Sequence, residues 1–139
     1  MLKITFLVTV YNEIKTIKQA IQDIIDIPYQ NKEIIIIDNA STDGSQEIIK
    51  NFHNIKHILR KKNLGYGATI IEGLNISSGK YVYIHNSDLE YDHLKSLDMV
   101  RLAEENDLDM ILNKKSIYIS KNKFDLTDEI LKIINEKIN

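Results

Sequence analysis

Apolar residues fall along the chain in two alternating patterns. Ile4–Val10, Glu33–Ile37, Ile55–Leu59, Tyr81–Ile84 and Met110–Leu112 are short runs rich in β-branched side chains. They are continuous rather than alternating, as strands covered on both faces of a parallel sheet should be. Between them the period is helical. Ile14, Ile17, Ile21, Ile24 and Ile25 recur at three- and four-residue spacings, as do the shorter stripes Ile48, Ile49, Phe52 and Ile70, Ile71, Leu74. Leu94, Leu97, Val100 and Ala103 predict a fourth helix, and Leu126, Ile130, Ile133, Ile134 and Ile138 a fifth. Helix starts are marked by Thr42-Asp43-Gly44-Ser45, by Ser87, Asp88 and Asp92, and by Thr127-Asp128-Glu129.

Strand and helix in strict alternation imply right-handed crossovers and one doubly wound, mostly parallel α/β domain over residues 1–139. The stretch Lys114–Asp125, in which IYIS could form an edge strand, breaks the rhythm and is not placed. Ligands of such sheets bind at the carboxyl ends of the strands. Those ends read Tyr11-Asn12-Glu13, then Asp38 to Gly44, then Arg60 to Gly67, then Asn86 to Asp92.

Composition narrows the chemistry. The 139 residues are 43% hydrophobic, enough for one core, and carry 18 basic against 20 acidic residues. A net charge of −2 gives no support for a nucleic-acid surface. With no cysteine there is no disulfide, thiolate zinc site or cysteine nucleophile, which fits a reducing cytoplasm. The opening MLKITFLVTVYNE reads as a core strand rather than a secretion signal, and no run approaches the roughly 20 apolar residues of a membrane span.

Three polar tips carry candidate chemistry. In IIIIDNASTDGS, Ile34 to Ser45, Asp38 can accept from a base N–H or a sugar hydroxyl, and the turn feeds a helix N-terminus suited to anions. The same residues also serve ordinary strand-to-helix turns. KNLGYGATIIEG, Lys62 to Gly73, opens a helix with three of the five glycines and follows Arg60 and Lys61. It allows close backbone approach to a ligand, or simply a tight turn with Gly73 for helix packing. It is not a dinucleotide fingerprint, because Gly65-Tyr-Gly67 lacks the third glycine and follows the third strand. In HNSDLEYD, His85 to Asp92, a carboxylate at a strand tip suits a hard divalent cation shared with substrate phosphates. Helix capping by Asp88 or Asp92 is the competing reading. A zinc set of His85, Asp88 and His93 matches no zinc spacing, and His85 is expected to point into the sheet.

Together these segments resemble the N-terminal, nucleotide-sugar-binding part of family 2 glycosyltransferases, most closely the dolichyl- or polyprenyl-phosphate sugar transferases. The resemblance rests on VTVYNE (Val8 to Glu13), IIIIDNASTDGS, KNLGYGATIIEGL (Lys62 to Leu74) and GKYVYIHNSDLEYD (Gly79 to Asp92), in order and at the usual intervals, covering Leu2 to about Asn113. It implies a GT-A, Rossmann-like nucleotide-diphospho-sugar transferase fold, shortened at the C-terminus, with residues 114–139 beyond the match. Tyr11, Glu13 and Asp38 would border the base and ribose. Asn63, Gly65 and Gly67 would line the ribose-diphosphate side, with Lys62 or Arg60 available to the phosphates. Asp88 stands at the last position of the family's Asp-x-Asp motif and would hold Mn²⁺ or Mg²⁺.

The implied reaction is inverting transfer from a UDP- or GDP-sugar to a polyprenyl phosphate or glycan acceptor, in the cytoplasm or on the cytoplasmic face of a membrane. Two positions depart from the pattern. Asn86 replaces the first Asp of Asp-x-Asp, and Asp38-Asn39 replaces the usual Asp-Asp. Family members also continue into an acceptor half that supplies the general base, and no residue here is assigned that role. A non-catalytic nucleotide-sugar-binding or interaction module that has lost the acceptor half is the alternative to an enzyme, and sheet edges left uncovered would favour self-association. A phosphorylation receiver domain shares the rhythm, but His57-Ile58-Leu59-Arg60 stands where its phosphoacceptor Asp would be.

Overall fold

The computed structural model describes residues 2–89 and 95–106. Four strands, β1 (Ile4–Val10), β2 (Lys32–Asp38), β3 (Lys56–Leu59) and β4 (Tyr81–Asn86), alternate with four helices, α1 (Ile17–Ile25), α2 (Ser45–Lys50), α3 (Tyr66–Ile76) and α4 (Lys95–Glu105). The sheet is wholly parallel in the order β3-β2-β1-β4. Every residue of β1 is buried, as its unbroken apolar run requires of a central strand.

The chain steps outward from β1 to β2 to β3, then returns past both to place β4 beside β1. With right-handed crossovers this reversal must move the connecting helix to the opposite face. It does so. Ile4, Phe6, Val8 and Val10 pack with Ile17, Ile21 and Ile24 of α1, Ile49 of α2 and Val100 of α4. Leu7, Ile35 and Ile37 pack on the other face with Ile70 and Leu74 of α3. Gly73 lets α3 settle onto β1, because a Cβ there would lie 2.2 Å from the Leu7 side chain. The topological switch between β1 and β4 leaves a crevice at their carboxyl ends.

Several expected bounds shift for local reasons. Helix α1 begins at Ile17, not Ile14: the Glu13 carbonyl turns the chain by accepting from Thr16 and Ile17 N–H, and Asp43 takes the Ile14 N–H. Ile14 and Ile25 are accordingly exposed, outside the buried stripe of Ile17, Ala20, Ile21 and Ile24. At the far end of α1, Lys32 Nζ donates to the carbonyls of Ile24, Ile25 and Ile27, closing the helix with a side chain from β2. Strand β4 runs on through His85 and Asn86 because both lie alongside β1, paired with Val8 and Thr9. His85 is buried in the sheet, as expected.

Glu90, Asp92, His93 and Leu94 lie outside the described residues, as do the expected strand Met110–Leu112, the segment Lys114–Asp125 and the last helix. Among the described residues no helix is long and apolar enough to cross a membrane.

Candidate functional site

The strand registers bring the tips level: Val10 lies beside Asp38, Asp38 beside Leu59, and Thr9 beside Asn86. The loops that follow therefore share one rim, and their side chains bind one loop to the next. The β1 and β2 loops are stitched by Asn12 N–H to Ser41 Oγ (2.8 Å), Thr42 N–H to Asn12 Oδ1 (2.8 Å), Glu13 N–H to Ser45 Oγ (3.0 Å) and Ile14 N–H to Asp43 Oδ2 (3.0 Å). Asn12 and Ala40 sit at φ +53° and +68°, left-handed conformations that these bonds hold in place. Burial pushes the Asp43 carboxyl up, but bonds from Ser45 and the Ile14 N–H outweigh it and keep Asp43 below the usual carboxylate range.

Asp38 is wholly buried. Oδ1 accepts from Ser41 N–H (2.8 Å) and Gln46 Nε2 (2.7 Å), and Oδ2 from Ser41 Oγ (2.5 Å). It is the internal anchor of its turn, so its reach toward a ligand is through Ser41 and Gln46. Asn39 performs the matching task for the next loop. Its Oδ1 accepts from Leu64 N–H (2.9 Å) and Arg60 (3.2 Å), and its Nδ2 donates to Asn63 Oδ1 (2.8 Å). Asn63 Oδ1 in turn accepts from Gly65 N–H (2.9 Å). Gly65, at φ +89° and ψ 161°, occupies a backbone region essentially reserved for glycine, and a Cβ there would meet nothing within 4 Å. Its conformation, rather than close packing, demands the residue.

Arg60 stands apart from the role expected of it. Its guanidinium, with a side chain 8% exposed, is spent on Asn39, Thr69 Oγ1 (2.8 Å), the Ala68 carbonyl (3.3 Å) and an ion pair with Glu72. Arg60 fixes the start of α3, and the exposed Lys61 and Lys62 are the cations of this loop that face solvent. On the β4 side, Asn86 Oδ1 accepts from Thr9 Oγ1 (3.0 Å) and from Tyr66 OH (3.2 Å), which reaches across from the first turn of α3. Ser87 Oγ donates to the Thr9 carbonyl (3.1 Å), and Thr16 Oγ1 to the Ser87 carbonyl (2.5 Å). Asp88 follows, half-buried, at the tip. Tyr11, Leu64, Tyr66 and Leu89 expose apolar surface on the same rim. Lysines on the β3 side, an acid on the β4 side and aromatic surface between suit a flat, anionic ligand with an accompanying cation.

Residues 5–137 match the family described as glycosyl transferase family 2. The chain belongs to glycosyltransferase family 2. Glycosyltransferase GlyA of Streptococcus pneumoniae is 37% identical over 100 residues, 68% of this chain and 14% of GlyA. Among solved structures, S. aureus TarS 1-349 in complex with UDP-GlcNAc superposes with a TM-score of 0.67 at 23% identity, covering 76% of this chain and 32% of that one. The mannosyltransferase PcManGT from Pyrobaculum calidifontis, in complex with GDP-Man and Mn²⁺, gives 0.62 at 22% identity, covering 69% and 30%. The fold is therefore that of the GT-A glycosyltransferases. The chain spans about a seventh of GlyA and about a third of each of the two structures.

Against the family 2 pattern, Tyr11, Glu13, Lys62, Asn63, Gly65, Gly67, Asn86 and Asp88 all lie on the shared rim, whereas Asp38 and Arg60 lie beneath it as supports. Asn12, Asn39, Ser41, Gln46 and Tyr66 are the contributors that sequence reasoning missed. The Asp-to-Asn departure at Asn39 and the tyrosine between two site glycines were the available signals. For a hard cation shared with a bound phosphate, Asp88 would be the carboxylate available at this tip, while the Asn86 carbonyl is already turned to two hydroxyls. Among the described residues no three His, Cys, Asp or Glu side chains gather as a self-sufficient metal site.

Proposed function

We propose that this domain binds a nucleoside-diphosphate sugar on the rim above β1 and β4 and presents it for inverting transfer to an acceptor oxygen. The observation that carries this reading is the convergence of all four family 2 motifs on one networked edge. Tyr11, exposed at the β1 tip, offers a face for the base, with Glu13 and the Asp38-anchored Ser41 turn beside it for base and ribose. The Asn63–Gly67 turn lies along the diphosphate, with Lys62 as its exposed cation. Mn²⁺ or Mg²⁺ bound at Asp88 would supply Lewis-acid neutralisation of the departing diphosphate. The acceptor is a polyprenyl phosphate or a glycan, met at the cytoplasmic side of the envelope.

The two departures from the family's acids, Asn39 and Asn86, favour one second reading, a donor-binding module that does not transfer the sugar. Calorimetric titration with UDP, GDP and their sugars, with and without Mn²⁺, tests the shared core of both. Binding near the micromolar-to-millimolar range is expected, and no binding of any of them removes the proposal. Hydrolysis and transfer assays then separate them, since donor turnover supports the enzyme and binding without turnover the module.

A further inference from the structure

In the proposed donor site, a carboxylate at the position of Asn86 would offer two acceptor oxygens, both usable by a cation. The structure allots the single acceptor of Asn86 otherwise. Thr9 Oγ1, its neighbour in register on β1, and Tyr66 OH, from α3, both converge on Oδ1. The two hydroxyls come from separate elements on the α3 face, and both lie against the oxygen side of the carboxamide. The Nδ2 group is then left to face away from them, with no partner among the described residues. An amide NH2 is a donor only and does not ligate a cation.

We propose that Asn86 is a donor-binding contact of the opposite polarity to a metal ligand. Its NH2 gives a hydrogen bond to an oxygen of the nucleotide-sugar donor, and Tyr66, through Oδ1, is the positioning residue that aims it. The proposal rests on the donor-binding reading above. It makes the chain less dependent on metal for holding a nucleotide than two acids at this tip would make it, because one negative charge facing the phosphates is replaced by a donor pointing at them.

The signature is a change of sign. Asn86→Asp keeps the acceptor for Thr9 and Tyr66, removes the donor and adds a charge. Calorimetry of UDP binding to the full chain in EDTA is expected to show affinity falling about tenfold or more, the equivalent of one lost hydrogen bond and added repulsion. In excess Mn²⁺ the same variant is expected to bind UDP as well as the wild type or better, since the new carboxylate can then share the ion. Asn86→Ala removes the donor without adding a charge, so its loss in EDTA should persist in Mn²⁺. The Asn86 side-chain NH2 resonances of the wild type should move on UDP saturation, and move less in Tyr66→Phe. That readout stands even where a substitution at 86 disturbs folding. Equal losses for Asn86→Asp in both media, or an NH2 pair indifferent to UDP, would overturn the inference while leaving donor binding intact. A wild-type chain that binds neither UDP nor GDP in either medium defeats the underlying reading instead.

Discussion

Carboxamide and carboxylate have nearly the same shape, and the rim of this protein turns on the difference between them. Asp88 is the acid of the motif that the described tip retains, half-buried at the end of β4. If it carries the cation, Asp88→Ala should erase the Mn²⁺-dependent part of UDP affinity, a loss of about tenfold or more, while binding in EDTA stays within about threefold of wild type. Titration in both media measures this, and an unchanged affinity in Mn²⁺ would remove Asp88 from the site. Its place was legible in the sequence because a strand that turns polar must end, and strand ends locate the rim. The duties of Asn12 and Asn39 were not. A carboxamide can give and accept at once, and whether it does so depends on which loops the fold sets beside it. Arg60 shows the same limit: its charge was visible, but its burial against Glu72 and Thr69 came from a helix six residues further on.

The element most dependent on such a bond is the loop from β3 to α3. It has no regular structure from Arg60 to Gly65, yet Asn39 holds it at Leu64 and Asn63, and Arg60 holds the first turn of α3. Asn39→Ala would remove three bonds made by a buried carboxamide, one of them to the largely buried Arg60, and should destabilise the domain by about 1–3 kcal/mol. Asn39→Asp keeps acceptors for the Leu64 N–H and Arg60 but loses the bond to Asn63, whose amide could turn to donate only by releasing the Gly65 N–H to solvent, so its loss should be the smaller of the two. Urea unfolding reads the first effect, and amide exchange reads its location: Leu64 and Gly65 should lose protection in Asn39→Ala while β1 keeps its own. Uniform loss across the sheet would mean that the loop has no separate latch. Helices and strands themselves were easier to foresee. Continuous β-branched runs gave all four described strands to within two residues, because burial on both faces leaves no room for alternation. The start of α1 was misplaced because Ile14 keeps the helical spacing while Asp43, from another loop, takes its N–H.

Taken as a whole, the molecule separates a polar rim from a tie at the opposite end of the sheet. There Thr5 Oγ1, buried in β1, donates to Glu33 Oε2 of β2 (2.6 Å), and the same oxygen accepts from Ser78 N–H (2.9 Å) at the entry to β4. Gly79 N–H closes the link on Thr5 Oγ1 (2.9 Å), approaching so near that a Cβ would lie 2.5 Å from the Thr5 nitrogen. One carboxylate thus joins three strands. Burial pushes the Glu33 carboxyl up, but the bonds from Thr5 and Ser78 and the charge of Lys3 outweigh it and hold Glu33 below the ordinary glutamate range. A group lowered on folding stabilises fully above its unfolded-state value, about 4.3, and loses that contribution as pH falls through its folded value. Glu33→Gln keeps the shape and the acceptor oxygen but cannot ionise. The stability gap between wild type and Glu33→Gln should therefore be constant from about pH 8 to 6 and shrink below about pH 4.5. Asp43, also lowered, titrates in both proteins and cancels from the difference. Urea midpoints across that range provide the measurement, and a gap indifferent to pH would show that Glu33 acts by shape alone. Because the tie lies at the end of the strands away from the rim, nucleotide affinity at neutral pH should be the same in both proteins, which separates what holds this sheet together from what it holds.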